Sequence, residues 1–304
     1  MEVAFMLDAR MESLLTICEK NSFTKAAESL ALTQPAISHH IRSLEDELGV
    51  RLFHRSRGEL KLTKEGEITV LYARRIKGMY EKMLRALQDS ERQMTSIRVG
   101  ITHTAESSLI AEVLAQYSTS APGIRLTIIT DTIKNLYEMM DQYELDLAIL
   151  EGKPTEGSLN AVLLDTDYLV CVVCNESPLA KKSMVTLSDI RKEKMILRLP
   201  GSGTQNLFLA HLESIGMSID DFDVVLEVDN IATIKDLIRK NMGISILARS
   251  ACMDELRKGK LTALPIENLS MVRQTNILYH RDFPHPQVLQ AITGLYREAA
   301  RIYA

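Results

Sequence analysis

What this chain lacks narrows its function before any motif is read. Its 304 residues hold no run of eighteen apolar residues, so no helix is expected to cross a membrane. The N-terminus lacks the basic-then-apolar layout of a secretory signal, and a cytoplasmic protein is expected. Only four cysteines occur. Cys171 and Cys174 form a CxxC, but inside the apolar run Tyr168 to Cys174, which reads as a strand. Positions i and i+3 of a strand face opposite sides, which suits neither a zinc site nor an unstrained disulfide. No second CxxC or spaced histidine pair completes a metal site, and Cys18 and Cys252 read as small apolar residues on helices. No nucleophile–base pair, metal set or cofactor fingerprint appears with specific spacing, so neither an enzyme nor a cofactor is expected.

Charge is also short of one sign in one place. Residues 1–95 carry 15 basic and 14 acidic side chains, residues 96–304 carry 21 and 26, and the net −4 therefore belongs to the C-terminal part. A low overall pI does not exclude a nucleic-acid partner when a positive face is local. The length points to roughly two or three domains.

Such a face is present. Thr33 is a good N-cap, with Pro35 in the first turn of a helix whose Ile37, Ile41, Leu44 and Leu48 recur at i, i+4, i+7 and i+11. The opposite side offers Gln34, Ser38 and Arg42 in one row, with Pro35 and His39 beside it, side chains suited to base edges and phosphates. The preceding helix, roughly 24–30, has Ala26 and Ala27, small enough for a close crossing. Beyond it, Arg51, Arg55, Arg57, Lys61 and Lys64 face a single Glu59 across an Arg57-Gly58-Glu59 turn. Strand-like runs Arg51 to His54 and Glu59 to Leu62 flank that turn, giving a basic wing. A helix-turn-helix with a basic hairpin is the electrostatic footprint of double-stranded DNA binding.

From Thr63 to about Gln93 the chain reads as one long helix, in which Tyr72, Ile76, Met79, Met83 and Ala86 form a short heptad seam suited to another helix. Strand and helix then alternate. Strands are expected at 97–101, 124–130 and 145–150, then from Tyr168, then at 195–199, 224–228, 244–247 and 275–280. Helices are expected at 107–118, 132–142, 204–215, 231–241 and 286–302. Alternation of this kind predicts α/β domains with mostly parallel strands. Two loops at strand ends are rich in hydroxyl and backbone donors, Thr102-His103-Thr104 and Ser202-Gly203-Thr204, with Asn230 a further candidate and Arg198 a possible carboxylate partner. The second loop lacks the Lys and spacing of a nucleotide P-loop.

In order and spacing, three runs resemble the LysR-type transcriptional regulators: Ser22-Phe23-Thr24-Lys25-Ala26-Ala27, Thr33-Gln34-Pro35-Ala36-Ile37-Ser38, and Leu44 to Phe53. Leu62-Thr63-Lys64-Glu65-Gly66 closes the match, while His39-His40 stands where the family more often has Arg, Lys or Gln. The resemblance implies a winged helix-turn-helix domain over 1–62, a linker helix over 63–93 that pairs subunits, and a regulatory domain over 94–304. That last part would form two periplasmic-binding-protein-like lobes, about 96–163 with 267–304 and about 164–266. It further implies Thr33, Gln34, Pro35, Ser38, His39, Arg42, Arg55, Arg57 and Lys61 at DNA. Thr102, His103, Thr104, Ser202, Gly203, Thr204 and Asn230 would lie at a small-molecule effector, a carboxylate or similar organic anion. Tyr72, Ile76, Met79 and Met83 would make a dimer or tetramer contact, and RNA polymerase is a further implied partner. Two alternatives stay open: a repressor without a functional pocket, and a redox-sensing regulator.

Overall fold

A computed structural model describes residues 8–54, 60–152, 154, 157 and 159–303. The chain forms two compact units, Met1–Glu91 with Asp141–Glu144, and Arg92–Met140 with Leu145–Ala304.

The first unit is helical. It contains α1 (Ala9–Lys20), α2 (Phe23–Ser29), α3 (Gln34–Leu48) and α4 (Lys64–Arg92). The Ser22 and Thr33 side chains cap α2 and α3 by accepting from Lys25 N and Ala36 N, both at 3.3 Å, and Gly49 ends α3 at φ +68°. Ala26, Ala27, Ile37, Ile41, Leu44 and Leu52 close one core with Leu14 and Ile17 of α1. Sequence reasoning passes over α1 because one of its three buried positions is a serine. Ser13 Oγ donates to Ala9 O at 2.9 Å and meets His40 Nδ1 at 2.7 Å, so a polar residue fills a core position.

The buried stripe of α3 differs from expectation at its end. Leu48 is exposed, and Glu45 is buried instead, with 7% exposure. Its carboxylate accepts from Leu52 N at 2.8 Å and pairs with Arg51 at 2.6 Å, which offsets desolvation and ties α3 to the base of the wing. In the wing, Phe53 and Leu62 form an antiparallel bridge and His54 N donates to Lys61 O at 2.9 Å, while 55–59, with the expected Arg57-Gly58-Glu59 turn, lie outside the described residues. Thr63 Oγ1 then caps α4 by accepting from Gly66 N at 2.9 Å.

Gly66 is there because α4 begins against backbone. A methyl carbon at this position would lie 2.1 Å from the Leu52 carbonyl oxygen. Gly66→Ala is therefore expected to destabilise this unit by about 3 kcal/mol through overpacking, read as a lower urea midpoint. An unchanged midpoint would mean that α4 can slide off the carbonyl without loss.

The second unit is α/β. Its first part runs β1 (Thr95–Ile101), α5 (His103–Glu106), α6 (Leu109–Ser120), β2 (Ile124–Thr130), α7 (Ile133–Asp141) and β3 (Leu147–Glu151). A long β4 (Leu159–Val173) leads to α8 (Leu187–Ile190), β5 (Lys194–Arg198), α9 (Gly203–Ser214), β6 (Asp223–Val228) and α10 (Ile231–Arg239). Then come β7 (Ser245–Ala248), α11 (Met253–Arg257), β8 (Thr262–Leu264), β9 (Val272–His280) and α12 (Pro286–Tyr303).

Strand directions correct the expectation of mostly parallel pairing. β1 pairs in parallel with β2 and β3, and β5 with β6, but β3–β9, β9–β4, β4–β7 and β4–β8 are antiparallel. The reason is β4, which begins at Leu159 rather than near Tyr168. Its first half pairs with β9 and its last residues, from Leu169, pair with β7 and β8. The early half was not legible because Leu159 to Asp167 is half-exposed and interrupted by a bulge at Leu163/Asp165. Separate cores form on either side of this passage. One gathers Leu169–Val173, Phe208, Ile234 and Met271; the other gathers Ile97, Val99, Ile149, Ile277 and Tyr296. Two chain crossings, β4 and β9, thus connect two packed layers, and the carboxyl ends of β1, β2, β3, β5 and β6 carry the loops described next.

Candidate functional site

Two surfaces stand out, one in each unit. On the first, α3 presents Gln34, Pro35, His39 and Arg42 as exposed side chains on the face opposite its core, with Thr33 exposed at its cap. Ser38 is half-buried and accepts from Gln34 Nε2 at 3.0 Å. The two histidines divide, His39 outward and His40 inward against Ser13. Lys61 is exposed on the wing, and Arg55 and Arg57 lie outside the described residues. The α3 face therefore offers an amide, a hydroxyl, an imidazole and a guanidinium, a set able to pair with base edges and phosphates.

Along α4, Tyr72, Ile76, Met79 and Met83 are all exposed, and Ile68 and Leu87 extend the same line. Six large apolar side chains on one solvent-facing helix stripe are unusual without a partner surface.

In the second unit, a cavity of about 140 Å³ lies where β1, β2, β3, β5 and β6 end. Thr102, His103 and Thr104 line it from the turn after β1, and Ser202 and Gly203 from the turn into α9. These elements form as helix starts do. Thr102 Oγ1 accepts from Ala105 N at 3.1 Å and donates to Glu151 Oε1 at 2.7 Å, and Ser202 Oγ accepts from Gln205 N at 3.2 Å. Gly201, at φ +87°, makes the turn that feeds α9. A methyl carbon on Gly203 would lie 2.9 Å from the end of the Ile133 side chain, so α9 approaches α7 closely at this glycine.

Two residues named from sequence do not line the cavity. Thr204 is 2% exposed beneath it, where its hydroxyl accepts from Arg273 at 3.4 Å. Asn230 caps α10 by accepting from Thr233 N at 2.9 Å, which turns its amide away, and the lining position falls to Asp229 instead.

Sequence reasoning also missed Asp131, Glu151 and Asp229, and gave Arg198 too little weight. Asp131 and Asp229 directly follow β2 and β6, and Glu151 and Arg198 end β3 and β5. Scanning every strand end, rather than only hydroxyl-rich loops, would have found all four. Arg198 is 3% exposed, with its guanidinium 3.1 Å from Asp229 and its Nε without a hydrogen-bond partner among the described residues. Burial lowers its pKa, opposed by Asp229 and then Glu151. His103 Nε2 lies 3.6 Å from the same Asp229. Asp229 thus serves two potential anion ligands at once.

Cysteine chemistry gives the redox alternative little support. Burial pushes the thiols of Cys171 and Cys252 up to about 12, so neither is a thiolate at neutral pH. Cys174 is buried with its sulfur 3.1 Å from Asn241 Oδ1. No helix among the described residues is long and apolar enough to cross a membrane.

Comparison with known proteins matches this two-part organisation. Residues 9–67 match the bacterial regulatory helix-turn-helix protein, lysR family, and residues 90–301 match the LysR substrate binding domain. The transcriptional regulator CfxR of Cupriavidus necator is 30% identical over 271 residues, covering 87% of this chain and 82% of CfxR. The crystal structure of CbnR, a LysR family transcriptional regulator, superposes with a TM-score of 0.65 at 17% identity, over 97% of this chain and 99% of CbnR. The Synechocystis CcmR regulatory domain in complex with 2-PG superposes with a TM-score of 0.58 at 24% identity, over 66% of this chain and 97% of that domain. Helix-turn-helix, long helix and α/β regulatory unit, in this order and with these matches, make the chain a member of the LysR family, a DNA-binding transcriptional regulator under effector control rather than an enzyme.

Proposed function

We propose that residues 1–62 read promoter DNA, residues 63–93 join two copies, and residues 94–304 bind a small organic anion that sets the placement of the reading heads. In this reading α3 enters the major groove with Gln34, Pro35, Ser38, His39 and Arg42 toward base edges, and Thr33, Arg55, Arg57 and Lys61 toward phosphates. Tyr72, Ile76, Met79 and Met83 pair with the same residues of a second copy, as a dimer or within a tetramer. The protein works in the cytoplasm, where RNA polymerase is its further partner.

The observation that carries the effector reading is Arg198. A guanidinium this buried, with an unsatisfied Nε at a cavity beside the N-termini of α7 and α9, favours an incoming anion. His103, Thr102, Thr104, Ser202 and Gly203 surround the same space, with Thr204 and Asn230 behind it. The anion takes the place of Asp229 at Arg198 and His103, so the free energy gained is a difference between two carboxylate-like partners. That is the kind of differential contact an effector needs to shift a two-state equilibrium. The 2-PG bound to the related CcmR domain is consistent with an anionic ligand. A repressor without a working pocket accounts for the Arg198–Asp229 pair but gives no role to the unbonded Arg198 Nε among the described residues.

Thermal denaturation of the full chain with a panel of small carboxylic and phosphorylated acids tests this. A ligand at a hundred times its dissociation constant stabilises by about 2.7 kcal/mol, a clear rise in melting temperature. A flat response across the panel would remove the anion from the proposal. For the DNA half, Arg42→Ala is expected to weaken promoter binding by about 1–3 kcal/mol, roughly tenfold to a hundredfold. Unchanged affinity in a gel-shift titration at physiological salt would contradict this docking of α3.

A further inference from the structure

Holding an acid group uses only part of the cavity at the strand ends. Its lining carries three carboxylates, Asp131, Glu151 and Asp229, against one guanidinium, Arg198. Asp229 is matched by Arg198 at 3.1 Å. Asp131 and Glu151 have no ion-paired cation among the described residues, and the bonds they do make come from neutral donors. These two carboxylates have no part in binding an anion, yet they face the same space.

Glu151 ends β3 and is 8% exposed. Its side chain accepts from Thr102 Oγ1 at 2.7 Å and from no other described residue. An ionised carboxylate has about four acceptor positions, so a buried one that meets a single hydroxyl is short of donors. Asp131 follows β2 and accepts through Oδ1, from Thr132 N at 2.7 Å and Asn135 Nδ2 at 2.8 Å. Its Oδ2 has no hydrogen bond among the described residues. Because β2 and β3 flank β1, the two carboxylates stand on either side of the turn that carries Thr102, His103 and Thr104.

The opposite sign comes from the other sheet. Arg198 ends β5, is 3% exposed and keeps an unbonded Nε among the described residues, and the N-terminus of α9 follows at Ser202 and Gly203. The cavity therefore has a cationic wall and an acidic wall. A ligand with negative charge alone gains at the first and is repelled at the second, and the repulsion is strong where protein replaces water. A ligand carrying both signs gains at both, while Ile133, Leu199 and Pro200 cover the carbon atoms between its charges.

We propose that the effector is a small amino acid, with its acid group at Arg198 and the N-terminus of α9 and its ammonium group at Glu151 and Asp131. The inference rests on the effector reading above and narrows it, from acids in general to those that also carry an ammonium. Glu151 is the residue that selects. A hydroxy acid of the same skeleton gives it only a second neutral donor, leaves its charge uncompensated, and binds about tenfold to a hundredfold more weakly.

L-alanine with L-lactate, L-aspartate with L-malate, and β-alanine with 3-hydroxypropionate are pairs that differ only in ammonium against hydroxyl. Melting curves of the full-length protein with each compound, and with 2-phosphoglycolate as an acid without nitrogen, find what binds. Isothermal titration then reads both dissociation constants of the pair that does. The amino member is expected to bind about tenfold to a hundredfold more tightly than its hydroxy twin. Glu151→Gln keeps an acceptor for Thr102 and removes the charge, so it weakens the amino acid about tenfold and tightens the hydroxy acid. Asp131→Asn shifts the two in the same opposed directions, by less. Opposed shifts do not arise from a damaged fold. A hydroxy acid or 2-phosphoglycolate that binds as tightly as the amino acids overturns the ammonium site and leaves the effector reading standing. Both members of a pair weakening together in Glu151→Gln removes Glu151 as the ammonium partner and overturns the inference. If no acid binds, with or without nitrogen, the effector reading itself is at fault and this inference falls with it.

Discussion

Arg198→Met is expected to weaken binding of the panel's best anion by about a hundredfold or more, while the regulatory unit keeps its fold. The loss follows from the strength of charge-assisted hydrogen bonds, about 1.5–3 kcal/mol each, of which a guanidinium can make two to one carboxylate or phosphate. The fold survives because the partner left behind, Asp229, is half-exposed and stays hydrated, with 52% side-chain exposure. Methionine fills a similar volume, and replacing a buried ionic side chain by an apolar one is often neutral for stability. Calorimetric titration and a melting curve on the same sample separate the two effects. Anion affinity within twofold of wild type would move the anion away from Arg198 and leave Asp229 as its structural partner only.

Met79→Glu is expected to dissociate the protein into single chains and to lower affinity for a full operator by about a hundredfold to a thousandfold, through loss of effective concentration. Met79 sits mid-way along the exposed line from Ile68 to Leu87 on α4. In a single chain the substitution is mild, since glutamate is a good helix former on an exposed face. Across a helix pair it buries an unpaired charge in an apolar seam, which costs several kcal/mol. Sedimentation velocity reads the mass, and DNA titration against full and half operators reads the affinity. A half-site affinity near wild type with a lost full-site advantage is the expected pattern. An unchanged mass would place the interface on another face of the chain.

Much of this protein was readable from order and period. Thr33, Pro35 and the stripe Ile37, Ile41 and Leu44 determine α3, because a cap, a first-turn proline and a 3.6-residue repeat act locally. The apolar stripe of α4 and the strand–helix alternation after Thr95 are periodic signals of the same kind, and β1, α6, β2, α7 and β3 lie close to their expected spans, with α5 an unexpected addition. The turns at Thr102 and Ser202 were legible as helix starts, so five of the six residues named there line the cavity.

What tertiary structure decided are the places where a polar group is buried because a distant partner satisfies it. Glu45 enters the core in place of Leu48 because Leu52 N and Arg51 meet it, and Ser13 does so because His40 does. The first half of β4 is a strand only because β9, more than a hundred residues later, pairs with it. Arg198 and Asp229 meet because β5 and β6 pair side by side, Glu151 joins them because β3 of the other sheet ends at the same cavity, and Arg273 stands opposite Asp167 through strand register. A period reports which face of an element is apolar; it carries no information on which buried charge will find its counter-charge, because that depends on contacts made across the whole unit.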